Sequence, residues 1–345
     1  MQNPFTISFG KEPYEYINRT RQENSIIEDF QQEYAPNNVA IILGPRGSGK
    51  TVMLNHIANF FEKDDSWIVV RLSIATDMLS SLSQKLQTSK KLEISSINAK
   101  VDLPGIGIGV TLSQSDNAAG AEVAIEKMLQ LLQNKGQRLL ITVDEASSTS
   151  EMRKLASIFQ LFLGQNYPIF MLMTGLYEEI DALQNSKNLT FLLRAPKIYI
   201  EPLNYTRVKK SYKTTLGVSD EMAHEMATVV GGYSFGFQAL GYLYYNKRPT
   251  AIAELYNDFD DMLAEYVYDK IWEQTGGLYR KILLEMALHN ITRISELQTV
   301  LHLSNSEMSP YRSKLIKRGI VRATARGELE IALPRFKEYL IALYE

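Results

Sequence analysis

The sequence predicts an α/β fold, a parallel sheet with helices on both faces, followed by a helical lid and a C-terminal winged helix. Three observations predict it. Five short apolar runs lack the polar alternation of a half-exposed sheet and are separated by helical stretches, as expected of strands buried on both faces. One of these runs ends in a glycine-rich turn that opens directly into a helix. After residue 204 the pattern turns helical, and the last 70 residues read as three helices and a hairpin, the order of a winged helix-turn-helix.

The first run, Asn38 to Leu43 (NVAIIL), leads into Gly44-Pro45-Arg46-Gly47-Ser48-Gly49-Lys50-Thr51 and then KTVMLNHIANFF. This is G-x-x-x-x-G-K-[ST] between a strand and a helix, where a P-loop has to stand. Its glycines let backbone N–H groups curl around phosphates, and the helix N-terminus adds partial positive charge. Lys50 is placed to reach the β and γ phosphates as a point charge, and the Thr51 hydroxyl to ligate Mg2+. A P-loop NTPase core with ATP and Mg2+ as ligands is therefore expected. The guanine-selecting pattern N-K-x-D stands after none of the strands.

The second run, Trp67 to Ile74 (WIVVRLSI), precedes a helix near Asp77 to Leu86. Between residues 91 and 113 a weakly alternating stretch with three glycines reads as an inserted hairpin. Its glycines lack the strand-to-helix context of a phosphate loop. The third run, Arg138 to Val143 (RLLITV), ends in Asp144-Glu145 at the strand edge where ligands sit in open α/β sheets. Asp144 suits Mg2+, directly or through its water shell, and Glu145 suits general-base activation of the attacking water. Alone, such a pair reads as a helix N-cap; beside a P-loop it reads as a hydrolytic pair. The fourth run, Pro168 to Thr174, ends in Thr174-Gly175, placed to touch the γ-phosphate or the lytic water and equally suited to a turn. Before the fifth run, Lys197 to Ile200, stands Arg194. It reads either as an arginine finger for a neighbouring subunit's nucleotide or as a surface arginine covering a strand end.

From Tyr205 to about Thr275 the periodicity is helical, punctuated by Gly217, Gly231 and Gly232, as in a small lid domain. From Leu278 onward eleven Lys and Arg stand against seven Glu, a net +4 that leaves −6 upstream. Arg312, Lys314, Lys317 and Arg318 fall on or beside the third helix of this tail, and Arg322 and Arg326 in the wing. Such helices enter the major groove and wing cations contact phosphates, so these six are DNA-binding candidates. A solvated helix face is the plainer reading of the same charges. The expected domains are 1–203 (core, with the 91–113 insertion), 204–276 (lid) and 277–345 (winged helix).

Composition bounds these readings. A chain of 345 residues suggests two or three domains, and 45% hydrophobic with 22% charged residues is ordinary globular usage. The net charge of −2 gives no bulk attraction to nucleic acid, so any DNA affinity has to be local. Cysteine is absent and the four His are scattered, which excludes disulfides and thiolate metal sites and leaves Mg2+ on nucleotide. No stretch approaches eighteen apolar residues and the N-terminus lacks the apolar run of a signal peptide, so a cytoplasmic protein without membrane contact is expected.

The order of P-loop, acidic strand end, Thr174, Arg194 before a strand, lid and winged helix resembles the AAA+ ATPases of the Orc/Cdc6-like group and their bacterial and archaeal relatives. The segments NPFTISFG with Arg19 before the first helix, GGYSFGFQALG in the lid and SPYRSKLIKRGIV with GELEIALPRFKEYL add to it. The resemblance implies Lys50 and Thr51 as Walker A, Asp144 and Glu145 as Walker B, Thr174 as sensor 1, and Arg194 as a finger acting in trans in a homo-oligomer. The family's second sensor, an arginine after a glycine in the lid, has no counterpart in Gly236-Phe237-Gln238, which implies weak or rewired lid closure and slow turnover. The function expected is an ATP-hydrolysing switch whose winged helix binds DNA. A signalling or defence ATPase acting on a protein effector is the alternative. A simple metabolite kinase fits less well, because the lid and tail exceed what that chemistry needs.

Overall fold

The computed structural model describes residues 2–8, 10, 13–92, 118–187 and 189–344. The hairpin expected over 91–113 lies outside them apart from its first two residues. The chain divides into two compact units: Arg21–Leu43 with Met53–Ile198, and Met1–Thr20 with Gly44–Val52 and Tyr199–Glu345.

The first unit is built on a five-stranded sheet. Its strands are β1 (Val39–Leu43), β2 (Trp67–Leu72), β3 (Arg138–Val143), β4 (Ile169–Gly175) and β5 (Lys197–Tyr199). They lie in the order β2-β3-β4-β1-β5, and β1 to β4 pair in parallel. Every residue of β1 and β4 is buried, which explains their unbroken apolar runs. Successive side chains face opposite sides. Ile41, Leu43, Ile141, Val143, Met171 and Met173 share a core with α3 (Met78–Gln87), α4 (Ala118–Asn134) and α5 (Ser150–Gly164). Opposite them, Phe30 of α1 (Thr20–Gln31) and Phe61 of α2 (Lys50–Glu62) meet Trp67 and Phe170 at ring separations of 4.3 to 5.2 Å. Arg138 lies over the Trp67 and Phe170 rings and donates to the Phe30 and Gln32 carbonyls at the end of α1, satisfying acceptors that the helix leaves open. After β4 comes α6 (Tyr177–Gln184), which also belongs to this unit.

Around the β2–α3 connection two boundaries differ from the sequence reading. β2 stops at Leu72 rather than Ile74, because residues 73–76 turn back (Thr76 N–H to Ser73 carbonyl, 3.5 Å). α3 begins after Asp77, whose carboxylate caps it by accepting from the Leu79 and Ser80 N–H groups at 3.1 Å.

The second unit is mainly helical. It holds α7 (Tyr205–Leu216), α8 (Asp220–Val230), α9 (Ser234–Lys247), α10 (Tyr256–Leu263) and α11 (Asp269–Glu273). Gly217 and Gly231 end α7 and α8 in left-handed conformation (φ 68° and 53°), which explains the glycine punctuation. There follow α12 (Gly277–Leu288), α13 (Ile294–Leu301), α14 (Asn305–Lys317), an antiparallel hairpin of β6 (Val321–Ala323) and β7 (Leu329–Ile331), and α15 (Phe336–Ala342). These elements share one core that includes Phe259, Tyr268, Leu283, Leu315 and Phe336. Polar ties reinforce it: Arg335 pairs with Asp260, the Tyr268 hydroxyl donates to the Pro334 carbonyl, and Arg318 donates to the Thr275 hydroxyl at 3.0 Å. The N-terminal segment joins the same core through Phe5, which contacts the Tyr212 and Phe237 rings at 5.8 and 5.5 Å. Among the described residues no helix is long and apolar enough to cross a membrane.

Candidate active site

The phosphate loop, Gly44 to Thr51, belongs to the second unit, which takes in the chain up to Val52. Gly47 and Gly49 take positive φ (70° and 91°), the conformation that glycine alone adopts without strain, and α2 begins at Lys50. The Lys50 ammonium donates to the Gly44 and Pro45 carbonyls at 3.0 and 2.8 Å, and the buried Ser48 hydroxyl donates to Pro45 at 2.8 Å. Thr51 follows in the first helical turn.

The carbonyls of this loop are engaged from outside. The Tyr233 hydroxyl donates to the Arg46 carbonyl at 2.5 Å, the Phe235 N–H to Gly47 at 2.9 Å, and the Ser234 hydroxyl to Ser48 at 2.8 Å. Arg19 donates to the Ser48 carbonyl at 3.0 Å, to the Ser234 hydroxyl at 2.9 Å and to the Glu201 carbonyl at 2.6 Å. Pro45 packs on the turn after α14, where a Cβ on Gly319 would stand 2.7 Å from the proline ring.

The acidic pair lies at the end of β3. Pairing sets Leu43 beside Gly175 and Val143 beside Met173, so β1 and β3 end at one sheet edge on either side of Thr174. Thr174 is fully buried; its hydroxyl donates to Asp144 Oδ1 and accepts from the Glu145 N–H at 3.0 Å. The Ala146 N–H donates to the Thr174 carbonyl at 2.8 Å. This knot fixes the Asp144 carboxylate and the turn that follows. Glu145 is exposed and holds φ of 52°, a left-handed conformation uncommon for a residue with a Cβ. Arg194 ends the 3-10 turn Thr190–Arg194 just before β5 and is exposed.

Residues 16–167 match a family model described as an ATPase domain predominantly from Archaea, and residues 265–340 match a domain of unknown function (DUF8462). The chain has the P-loop NTPase fold, a parallel sheet with flanking helices. Residues 16–167 thus carry an ATPase domain. Among solved structures, the ATPase is similar to the Walker-type ATPase of Pyrococcus abyssi (TM-score 0.66, 13% identity, covering 94% of this chain and 96% of that one). It is also similar to the ORC2 protein of Aeropyrum pernix in ADPNP–ADP complexes (TM-score 0.55, 12% identity, covering 98% and 95%). No curated protein sequence matches it.

The six cations of the ATPase's tail are not equivalent. Lys314, Lys317 and Arg326 are exposed. Arg322 is paired with Glu330 across the β6–β7 hairpin. Arg318 is half-buried, bonded to Thr275 and 5.8 Å from the Tyr279 ring centre. Arg312 is half-buried too, and its Nε is enclosed without a hydrogen-bond partner among the described residues.

Arg19, Tyr233, Ser234, Phe235 and Gly319 stand only within segments of general resemblance, and nothing in the sequence marks them as neighbours of the phosphate loop. The absent second-sensor arginine leaves Gln238, which instead accepts from the Thr6 N–H at 3.0 Å and donates to the Glu15 carbonyl at 2.8 Å, tying the N-terminal segment to α9.

Proposed function

We propose that the ATPase is a molecular switch whose C-terminal winged helix reads DNA according to nucleotide state. The observation that carries this reading is the company of the phosphate loop: residues 46 to 48 are bonded by Tyr233, Ser234 and Phe235, and Pro45 packs on the turn at the end of the candidate recognition helix. The loop that accepts phosphates therefore touches both parts that a switch has to move. The working parts are the core 1–203, the lid 204–276 and the winged helix 277–345.

In the hydrolytic step Lys50 and the loop amides receive the phosphates, and Glu145 takes the proton of the attacking water. Thr51 and Asp144 supply the oxygens that would hold Mg2+, which prefers oxygen ligands; a bound Mg2+ neutralises phosphate charge. Thr174 keeps the Asp144 carboxylate in place for that role. Arg194, exposed before β5, is suited to serve a neighbouring subunit's nucleotide in a homo-oligomer. The protein works in the cytoplasm.

Lys314, Lys317 and Arg326 offer a small cationic surface, so DNA binding is expected to be weak and steeply salt-dependent. A protein effector is the second reading, favoured by the Arg322–Glu330 pair and the inward attachment of Arg318, which remove two cations from any phosphate surface.

The test is ATP hydrolysis with and without duplex DNA at low salt. Lys50→Ala and Glu145→Gln should each suppress it, the latter by about 100-fold or more, the usual scale of a lost general base. Stimulation by DNA that both variants lose supports the DNA-coupled switch. Hydrolysis that depends on Lys50 but ignores DNA turns the reading to a protein partner.

A further inference from the structure

The grip on the phosphate loop has a direction. In a trans peptide the carbonyl of one residue and the N–H of the next point to opposite sides, and among the described residues no peptide is cis. Holding the Arg46, Gly47 and Ser48 carbonyls on the lid residues thus turns the N–H groups of Gly47, Ser48 and Gly49 the other way. The Ser48 N–H makes only a long contact to the Pro45 carbonyl, 3.4 Å. Phosphates bind P-loops on the amide side.

The loop needs such a hold. Gly47 and Gly49, both at positive φ, leave the intervening peptides with little intrinsic preference. A flipped Arg46–Gly47 peptide would present a carbonyl dipole to the phosphates, replacing attraction by repulsion. Tyr233 is well fixed for this purpose: it is buried, its N–H donates to the Val230 carbonyl at 2.8 Å, and it heads α9. A Cβ on Gly47 would collide with its hydroxyl, so the close approach depends on that glycine.

We propose that Tyr233 is a positioning residue for phosphate binding, its hydroxyl holding the Arg46–Gly47 peptide so that the Gly47 N–H is aimed at the nucleotide. Ser234 does the same for the Ser48–Gly49 peptide, sharing that carbonyl with Arg19. The missing second-sensor arginine is thereby compensated: the lid acts on the nucleotide through the backbone of the loop rather than through a cation of its own. Burial raises the Tyr233 phenol well above its ordinary value, so the hydroxyl stays a neutral donor throughout the working pH range.

The inference rests on the ATPase reading of the loop and is tested on the full chain with Tyr233→Phe, which keeps the ring and deletes one donor. Equilibrium ATP binding, KM, kcat and the thermal midpoint without nucleotide are measured together. The expected result is a Kd and KM for ATP raised about two- to tenfold, the scale of one hydrogen bond, with kcat within about twofold of the parent. Ser234→Ala should show a smaller rise in Kd, because Arg19 still holds the same carbonyl. A lower midpoint with unchanged Kd and KM in Tyr233→Phe overturns the proposal and leaves a purely structural tyrosine. If Tyr233→Phe does not fold, an unchanged Kd in Ser234→Ala overturns it. Lys50→Ala separates the two levels: ATP binding that survives this change sinks the site itself, whereas its loss beside an unaffected Tyr233→Phe sinks only the positioning role.

Discussion

Two residues show local conformation serving the site. Glu145 keeps a left-handed backbone at an exposed position, and the Thr174 hydroxyl holds its N–H. Such a conformation costs on the order of 1–2 kcal/mol in a residue with a Cβ. It persists because the buried Thr174 bonds both Asp144 and the following turn. Gly319 is the second case. It has φ of 70°, and its missing Cβ leaves room for Pro45. Gly319→Ala is expected to lower stability by about 1–3 kcal/mol, read by chemical denaturation, since it combines backbone strain with a steric clash. Pro45→Ala in the same chain should recover the steric share alone, so the two changes should be non-additive. Strict additivity would deny the contact. The place of Asp144 and Glu145 at a strand end was legible, because an apolar run leads straight into them. The conformation of Glu145 was not, because no side-chain pattern encodes a single backbone angle.

At the level of elements the sequence was legible wherever a single segment determined the outcome. Apolar runs buried on both faces placed β1, β3 and β4 to within a residue, and glycines in left-handed conformation placed the ends of α7 and α8. The order of three helices and a hairpin was likewise readable. What pairs with what was not. By position alone Arg322 reads as a phosphate contact, yet β6 and β7 set Arg322 opposite Glu330, a register that only the folded hairpin defines. Glu330→Gln should release this arginine. If the wing meets phosphates, the slope of log affinity for duplex DNA against log salt should steepen by about one unit, measured by a titration at several salt concentrations. An unaltered slope would keep DNA away from the hairpin. Arg322 is exposed and Glu330 only half-buried, so the substitution should change stability by no more than about 1 kcal/mol.

Across the whole molecule, the contacts that hold the phosphate loop join residues remote in sequence. Tyr233 lies 187 positions from Arg46, and the bond between them ends on a backbone carbonyl, which every residue type possesses. No composition or spacing rule reports such a contact. Its consequence is practical and concerns modularity. A fragment ending at residue 203 contains every Walker residue, yet it strips the Arg46, Gly47 and Ser48 carbonyls of the donors at 233 to 235 and uncovers Phe5 and Ile17, which are buried in the core of the C-terminal half. That fragment should bind ATP at least about tenfold more weakly than the full chain, by calorimetry or a fluorescent nucleotide, although nothing named in the hydrolytic step has been removed. Retained affinity would mean that the loop orders itself. Here the catalytic motif and the smallest catalytic piece are different things: excision at the seam that the motifs suggest would divide a phosphate loop from its own scaffolding.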